Sequence, residues 1–272
     1  MVQKVVLVTG ASSGIGLATC EYLSTRGYKV YGTSRKASEN QVSKGIPILQ
    51  LDLEDYASIQ SAIGHLISKE GRIDALINNA GVGIAGAIED CSPEDVEKVF
   101  RTNVFGVMEC CRAAIPSMRA QGGGWIVNIS SIAGEFGLPF RGVYCASKSA
   151  LDLFSETLRM ELKPANIRVS IVQPGDVRTN INSNRLLGAR STSEDSPHYH
   201  HFKKIYNEIS DDVATAKDPE MVARIIWKIL QLDKPRMRYP AASFIQRLSL
   251  SLNRVLPKHI FQGMLMRKYP VE

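Results

Sequence analysis

The sequence has no uninterrupted apolar run close to the roughly 18 residues that a membrane-spanning helix needs. Its five cysteines form neither a C-x-x-C pair nor a Cys/His metal pattern, which excludes a disulfide scaffold and predicts reduced thiols. A strand-forming run begins near the first residues, so we expect no targeting segment and a cytoplasmic protein. Hydrophobic residues make up 44% of the 272 and charged residues 22%, which excludes collagen-like and disordered chains.

Excess positive charge is absent from most of the chain. Residues 1–220 carry a net charge of −2, whereas residues 221–272 carry +8. The basic segment is typical of a solvated surface helix, but it also fits contact with an anionic lipid surface or an anionic substrate. We expect no nucleic-acid partner.

Strand and helix patterns alternate from residue 4 to about residue 175. The predicted strands cover residues 4–8, 29–33, 46–53, 73–78, 125–129 and 167–173. The predicted helices cover residues 17–26, 56–69, 92–120 and 143–162. This alternation predicts an α/β protein with one domain, residues 1–272, and a doubly wound Rossmann fold whose parallel sheet has helices on both faces.

The remaining segments depart from this alternation. Residues 180–215 are polar and fit a lid over a substrate, since long loops in compact domains are usually binding loops. A helix is predicted for residues 219–232, an extended piece near 238–240, and an apolar and basic extension for 243–272. Three roles for the extension stay open: a wall of the substrate pocket, a helix on an anionic membrane, or packing against the sheet edge.

A glycine-rich turn joins the first predicted strand to the first predicted helix. Glycines let the chain turn tightly and approach a pyrophosphate, and the helix N-terminus offers it N–H groups and partial positive charge. The residues predicted to bind a cofactor in this turn are Gly10, Ser12, Ser13, Gly14, Ile15 and Gly16.

The end of the second predicted strand distinguishes between two dinucleotides. An NAD site favours Asp or Glu there, where the carboxylate holds the ribose 2′-hydroxyl. This chain has Ser34 followed by Arg35, whose guanidinium can bind a 2′-phosphate. We therefore expect NADP(H) to be preferred over NAD(H); the alternative is an ordinary exposed basic residue.

Ser131, Tyr144 and Lys148 form the pattern with the most specific chemistry. Tyr144 and Lys148 are four residues apart on one predicted helix, so their side chains share a face. A nearby ammonium favours a phenolate, which predicts a lowered pKa for Tyr144 and a role in acid/base catalysis. The Ser131 hydroxyl follows a strand and can hydrogen-bond a carbonyl oxygen. Tyr-x-x-x-Lys alone is more often a solvated helix face, but its position after the glycine turn favours catalysis.

The sequence resembles the short-chain dehydrogenase/reductase family over residues 4–180, through the glycine turn, Asn78-Asn79-Ala80-Gly81, Asn103, Ser131, Tyr144-x-x-x-Lys148 and Pro174-Gly175 with Thr179. The resemblance implies a Rossmann fold and hydride transfer to or from NAD(P). Tyr144 would be the catalytic acid/base, and Lys148 would lower its pKa and hold the nicotinamide ribose. Ser131 would polarise the substrate carbonyl, and Asn103 would hold a water in a proton relay. Further cofactor contacts are implied at Asp52, Leu53, Asn79, Ala80, Gly81, Pro174, Gly175, Val177 and Thr179.

Residues 137–148 resemble more narrowly the 17β-hydroxysteroid and retinol dehydrogenase branch. That likeness implies a lipophilic carbonyl or alcohol substrate, and it favours the pocket over the membrane as the place of the C-terminal extension. Many NADP-using relatives have a basic residue where this chain has Ser13, so the NADP preference depends on Arg35, with Lys36 beside it as a second cation. The predicted helices 92–120 and 143–162 carry more apolar positions than one sheet face needs, and the likeness implies a homodimer or homotetramer.

Three other interpretations have less support. Chains of the epimerase and dehydratase branch of the superfamily usually have the glycine spacing G-x-x-G-x-x-G and are longer than this one. A non-catalytic dinucleotide sensor or scaffold would be expected to lose the acid/base residues, which this chain keeps. His198, His200 and His201 lie close together in sequence, but no carboxylate or cysteine completes a ligand set at recognisable spacing. We therefore expect no metal.

Overall fold

An eight-stranded sheet forms the centre of the protein. The computed structural model describes residues 3–179, 185–214 and 216–269. The strands are β1 (Val5–Val8), β2 (Lys29–Ser34), β3 (Val42–Ser43), β4 (Ile46–Gln50), β5 (Ala75–Asn78), β6 (Ile84–Ala85), β7 (Gly124–Ile129), β8 (Ile167–Pro174), β9 (Leu186–Leu187) and β10 (Arg238–Ala241). The sheet has the order β10-β8-β7-β5-β1-β2-β4-β3 and is parallel except for β3, whereas β6 and β9 form a separate pair. The predicted doubly wound architecture is confirmed.

Helices cover both faces of this sheet. They are α1 (Gly14–Ser24), α2 (Tyr56–Glu70), α3 (Pro93–Phe100), α4 (Gly106–Ala120), α5 (Gly142–Leu162), α6 (Tyr199–Ala214), α7 (Glu220–Leu230), α8 (Phe244–Val255) and α9 (Lys258–Lys268). On one face α2, α4 and α5 share a core that includes Ile63, Val107 and Leu158. On the other face α1 and α7 bury Leu23 and Ile226. Within the described residues, no helix is long and apolar enough to cross a bilayer.

The strand order fixes where a ligand can bind. β1 pairs with β2 on one side and with β5 on the other. The strands that follow β1 first extend the sheet towards one edge, through β2 and β4, and then towards the other edge, through β5, β7 and β8. Such a reversal opens a crevice at the carboxyl ends of the central strands. The glycine turn follows β1 and Asn79 follows β5, so both lie at this crevice.

The helix predicted for residues 92–120 is present but contains an irregular turn. Ser92 caps α3, and its hydroxyl accepts a hydrogen bond from the Asp95 N–H at 3.1 Å. Between α3 and α4 the backbone forms a π-helical turn, Arg101–Phe105. Turns of this kind are frequent at functional sites. Asn103 lies on this turn and is fully buried.

Regular structure forms most of the described part of the predicted lid, although residues 180–184 and 215 lie outside the described residues. β9 pairs in parallel with β6, and α6 follows. The buried Asp90 carboxylate accepts hydrogen bonds from the Ser191 and Ser196 hydroxyls at 2.9 and 2.7 Å. The expectation of a loop is wrong for residues 199–214, where Phe202 and Ile205 are buried at helical spacing among polar neighbours.

The C-terminal extension forms α8 and α9, which are separated near Pro257. A capping box starts α8: the Ser243 side chain accepts from the Gln246 N–H, and the Gln246 side chain accepts from the Ser243 N–H. In α9, Phe261 packs edge-to-face on Phe136 with ring centroids 5.0 Å apart. Because Phe136 belongs to the loop that leads into α5, the extension packs over that loop and is not confined to the sheet edge.

Candidate active site

A cavity of about 680 Å³ opens at the carboxyl ends of β1, β5 and β7. One half is formed by the glycine turn and the strand ends, and the other by the start of α5 together with α8 and α9. The predicted site residues that line it are Gly10, Ser12, Ser13, Gly14, Ile15, Ser34, Arg35, Asp52, Leu53, Asn79, Ala80, Gly81, Ser131, Tyr144, Lys148, Pro174, Gly175, Val177 and Thr179. Gly16 and Asn103 lie behind its wall.

The glycine turn presents bare backbone to the cavity. Gly10 and Gly14 have φ angles of +67° and +55°, which favour glycine. A Cβ atom on Gly16 would lie 2.2 Å from the Gly10 carbonyl oxygen, so Gly16 lets α1 pack against the turn. Ser13 is the N-cap of α1, but its side chain accepts no N–H of the first helical turn. These N–H groups are the ones that can bind an anion.

Asn79 holds the turn in place. Its Nδ2 donates to the carbonyls of Thr9 and Gly10 at 2.9 and 3.1 Å. Its backbone N–H donates to the Thr9 hydroxyl at 2.9 Å. On the other side of the turn, the Thr179 methyl would lie 3.0 Å from a Cβ atom on Gly14. The ends of β1 and β5 are thus tied together beside Thr179.

The outer end of the cavity brings basic and acidic side chains together. The Arg35 guanidinium lies 3.8 Å from the Glu54 carboxylate. Asp52 accepts a hydrogen bond from the Glu54 N–H at 3.0 Å, which closes a tight turn after β4. Lys36 and Lys98 line the same end. Glu54 is missing from the sequence-based prediction because only the pairing of β2 with β4 brings it beside Arg35.

Ser131, Tyr144 and Lys148 meet in the middle of the cavity. Ser131 lies two residues after β7, where its hydroxyl accepts a hydrogen bond from the Ala133 N–H at 3.1 Å and acts on the Tyr144 phenol by lowering its pKa. Lys148 lies one turn after Tyr144 on α5, with Nζ 5.9 Å from the centroid of the Tyr144 ring. That Nζ also donates to the Ile129 carbonyl at 3.0 Å. The structure therefore brings the three predicted catalytic side chains together.

Burial is the main influence on the ionisable groups of this site. It raises the pKa of Tyr144 above its usual value, while the hydrogen bond with Ser131 and the charges of Arg141 and Arg185 oppose the shift. Burial lowers the pKa of Lys148 to about 8. The predicted lowering of the Tyr144 pKa by Lys148 is wrong for this structure. Desolvation of the phenol raises its pKa more than the nearby cations lower it, and the cations that act on the phenol are Arg141 and Arg185.

Asn103 lies behind the cavity wall. Its Oδ1 accepts from the Val82 N–H and its Nδ2 donates to the Val82 carbonyl, both at 2.9 Å. Nδ2 also donates to the Ser147 hydroxyl at 3.1 Å. A Cβ atom on Gly81 would meet Asn103 Oδ1 at 3.1 Å and Lys148 Nζ at 3.5 Å. Asn103 and Lys148 thus flank Gly81, and a relay role for Asn103 stays a prediction.

The second half of the cavity has an apolar wall and two arginines. Its apolar lining includes Phe136, Leu138, Ile245 and Leu265. Arg141 immediately precedes α5, and Arg185 immediately precedes β9. Sequence reasoning missed both arginines because neither belongs to a motif. Only the fold brings these distant positions to one cavity.

The histidines near residue 200 contact other side chains. The His198 ring is hydrogen-bonded to the Glu89 carboxylate, and the ring centroids of His200 and Tyr199 lie 5.3 Å apart. Over the described ranges, no three His, Cys, Asp or Glu side chains are grouped closely enough to hold a metal ion.

Comparison with known proteins decides the family. The model of the short chain dehydrogenase family matches residues 4–188, which is more than half of the chain. The chain belongs to the short-chain dehydrogenase/reductase family.

Relatives within this family match nearly the whole chain. The 3-ketodihydrosphingosine reductase of Bacteroides thetaiotaomicron is 38% identical over 271 residues, covering 100% of both chains. Human 17-beta-hydroxysteroid dehydrogenase type 1 is 33% identical over 257 residues, which cover 88% of this chain and 77% of that protein. A solved short-chain dehydrogenase from Streptomyces avermitilis has a TM-score of 0.81 at 30% identity, covering 98% of this chain and 96% of that one. This member of the short-chain dehydrogenase/reductase family is therefore an NAD(P)-dependent oxidoreductase, and the resemblance carried by its motifs is confirmed.

Proposed function

We propose that this short-chain dehydrogenase/reductase interconverts a carbonyl and a primary or secondary alcohol with NADP(H), on a lipophilic substrate. The observation that carries the proposal is the position of Ser131, Tyr144 and Lys148 in one cavity, between the glycine turn and an apolar wall. A cofactor along the turn and a substrate against that wall would meet at Tyr144.

The residues of the turn fit a dinucleotide. Ser13 leaves the first N–H groups of α1 without a side-chain cap, and Gly10 and Gly14 keep the backbone bare. Both features suit a pyrophosphate at a helix N-terminus. Bound there, the cofactor supplies a hydride to a carbonyl carbon or accepts one from an alcohol.

Tyr144 is the group that transfers a proton to or from the substrate oxygen in this proposal. In the reductive direction its phenol donates a proton to the carbonyl oxygen. The raised pKa of Tyr144 keeps the phenol protonated at neutral pH, which suits reduction. The Ser131 hydroxyl beside that phenol can hold the same oxygen, and the charges of Arg141 and Arg185 favour the phenolate left behind. Lys148, one turn away, is placed to hold the nicotinamide ribose.

The outer end of the cavity supports a preference for NADP(H). Arg35, Lys36 and Lys98 line this end together with two acids, Asp52 and Glu54. A guanidinium can bind a phosphate through two parallel hydrogen bonds. Glu54 weakens this preference because its carboxylate repels a phosphate beside Arg35, and the three cations oppose that repulsion.

An apolar wall supports a lipophilic substrate. Phe136, Leu138, Ile245 and Leu265 line the same cavity as Tyr144 and offer hydrocarbon surface to a substrate. The names of two relatives describe lipophilic ketones or alcohols, a 3-ketodihydrosphingosine and a 17-beta-hydroxysteroid. The wall includes residues of α8 and α9, which supports the pocket role for the C-terminal extension.

We also propose a homodimer or homotetramer in the cytoplasm. Leu153 and Met160 on α5 are 62% and 69% exposed, and Met108 on α4 is also exposed. Apolar helix faces of this kind can pair across a two-fold axis. All five cysteines are free thiols, which supports a reducing compartment.

A substrate screen tests the proposed function. Oxidation of NADPH and of NADH is followed with steroid ketones, retinals, aliphatic aldehydes and quinones. We expect turnover of at least one lipophilic carbonyl, faster with NADPH. Binding of NADPH without turnover of any carbonyl or alcohol would instead support a non-catalytic dinucleotide sensor.

A further inference from the structure

Two arginines lie beside the proposed catalytic tyrosine. Arg141 precedes α5 and Arg185 precedes β9, and both line the cavity. The charges of both act on the Tyr144 phenol and lower its pKa. Both arginines line the same cavity as Tyr144, and Arg141 lies three residues before it, so the pair borders the space where a substrate carbonyl would be protonated.

Each arginine packs against a tyrosine and keeps an unused donor. Arg141 Nη2 donates to the Tyr269 hydroxyl at 3.3 Å. The Arg185 guanidinium lies 5.8 Å from the centroid of the Tyr206 ring. In the part of the chain that the structure describes, the buried Arg141 Nε and Arg185 Nη1 have no hydrogen-bond acceptor. Buried donors without acceptors are unfavourable, so a ligand with oxygen acceptors would be stabilised here.

Nearby acids do not balance the charge of the pair. Burial, and then the charge of Arg141, lowers the pKa of Arg185, whereas Asp176 raises it. The Asp176 carboxylate also accepts a hydrogen bond from Gln246 Nε2. Lys268 adds another positive charge to the same cavity. This half of the cavity therefore has excess positive charge.

The backbone before Arg141 is held in an unusual conformation. Phe140 has a φ angle of +58°, which is costly for a residue with a bulky side chain. Its carbonyl accepts from the Gly86 N–H at 2.8 Å, and its ring centroid lies 5.7 Å from that of Phe202. These contacts hold the backbone of Phe140 in place, immediately before Arg141.

We propose that Arg141 and Arg185 bind an anionic group of the substrate, a carboxylate or a phosphate monoester, while its carbonyl lies at Tyr144. The inference rests on the proposed function and narrows its substrate class to amphiphilic oxo acids or oxo-alkyl phosphates. The guanidinium fork matches two oxygens of such a group. The apolar remainder of the substrate lies against α8 and α9. A ketone with a nearby ammonium, such as 3-ketodihydrosphingosine, would be repelled.

The first test compares charged and uncharged forms of one carbonyl compound. The probes are 4-oxononanoate, its methyl ester and 2-oxooctyl phosphate, with NADPH oxidation as the signal. The wild type should show a kcat/KM at least about tenfold higher for one of the anions than for the ester. The better anion then identifies carboxylate or phosphate as the recognised group. An ester that reacts as fast as both anions overturns the proposal.

Substitution of the arginines tests whether they carry this preference. Arg141→Gln and Arg185→Gln should each reduce the anion-to-ester ratio of kcat/KM about tenfold. A loss of folded protein or a change in the Tyr144 pKa would affect both probes by the same factor, so neither would change the ratio. Arg224→Gln, on the exposed face of α7, is the matched control and should keep the wild-type ratio. A wild-type ratio in both cavity variants overturns the proposal.

Calorimetric binding separates this inference from the proposed function. The probes are titrated into the protein saturated with NADP⁺. In the wild type the anion should bind more tightly than the ester, and Arg185→Gln should remove this difference. Arginine-dependent anion binding without reduction of any carbonyl supports the anion site and contradicts the proposed function. Reduction of uncharged ketones, with no binding of either anion, supports the function and overturns the anion site.

Discussion

Asp152 lies one helical turn after Lys148 on α5, and its carboxylate raises the pKa of Lys148 against the burial that lowers it to about 8. Burial in turn raises the pKa of Asp152 from 3.8 to about 6, while hydrogen bonds from Ser130 and Gln173 lower it. The Gln173 Nε2 lies 2.8 Å from Asp152 Oδ2. The fold thus disfavours the charged form of Lys148, which lines the cavity, and of Asp152, which lies outside its lining.

Replacing Asp152 with Asn should change how stability depends on pH. A carboxyl whose pKa is higher in the folded than in the unfolded chain binds more protons when folded. The wild type should therefore lose stability relative to Asp152→Asn as the pH rises from about 4 to about 6. Asp152 is 3% exposed, and a shift of about two pKa units corresponds to about 3 kcal/mol.

Denaturant unfolding of both proteins across this pH range measures the difference. Asp233→Asn, at an almost fully exposed side chain, is the control for the Asp-to-Asn substitution itself. A constant difference between the wild type and Asp152→Asn would contradict the raised pKa.

Arg35→Ala should weaken NADPH binding and leave NADH binding nearly unchanged. Loss of a charge-assisted hydrogen bond costs about 1.5–3 kcal/mol, which is roughly 10- to 100-fold in the dissociation constant. Glu54→Gln should have the opposite effect and strengthen NADPH binding relative to NADH, since it removes the carboxylate 3.8 Å from Arg35. Fluorescence titration gives both constants. Equal losses for the two cofactors in Arg35→Ala would refute the assignment.

The exposed apolar face of α4 and α5 should mediate self-association. Leu153→Glu combined with Met160→Glu places two carboxylates on this face and should yield a monomer. Leu232→Glu, at an exposed apolar position beyond α7, is the control and should keep the assembly. Light scattering at micromolar concentration measures the mass. A monomeric wild type would rule out the proposed dimer or tetramer.

Truncation after Ala242 removes α8 and α9 and tests the role of the extension. The loss of the apolar wall should raise KM about tenfold or more for bulky carbonyls and change it little for small aldehydes. Membrane binding is measured by sedimentation of the full-length and the truncated protein with anionic vesicles. Vesicle binding that the truncation abolishes, with unchanged kinetics in solution, would indicate the membrane role instead. Global unfolding of the truncated protein would indicate packing alone.

Local patterns predicted those parts of the site that adjoin each other in sequence. The glycine turn and the spacing of Tyr144 and Lys148 are local, so both could be recognised before the fold was known. The strand order then placed Ser131 beside Tyr144, as expected of strand ends at one edge of a parallel sheet.

Other parts of the site depend on contacts that local sequence does not encode. Arg185 lies far from Arg141 in the chain, and Glu54 reaches Arg35 only through the β2–β4 pairing. The direction of the Tyr144 pKa shift was missed because spacing reveals a nearby ammonium but does not reveal burial. Helix α6 was missed because polar residues surround its few buried positions.

The kinetics of Tyr144→Phe test the central claim most directly. This change removes the transferable proton and keeps the ring, so turnover of a verified substrate should fall by about 10²–10⁴ or be abolished, while NADPH still binds. Tyr56→Phe is the matched control at an exposed tyrosine outside the cavity and should behave like the wild type. A Tyr144→Phe protein with near-normal kcat would contradict the proposed mechanism.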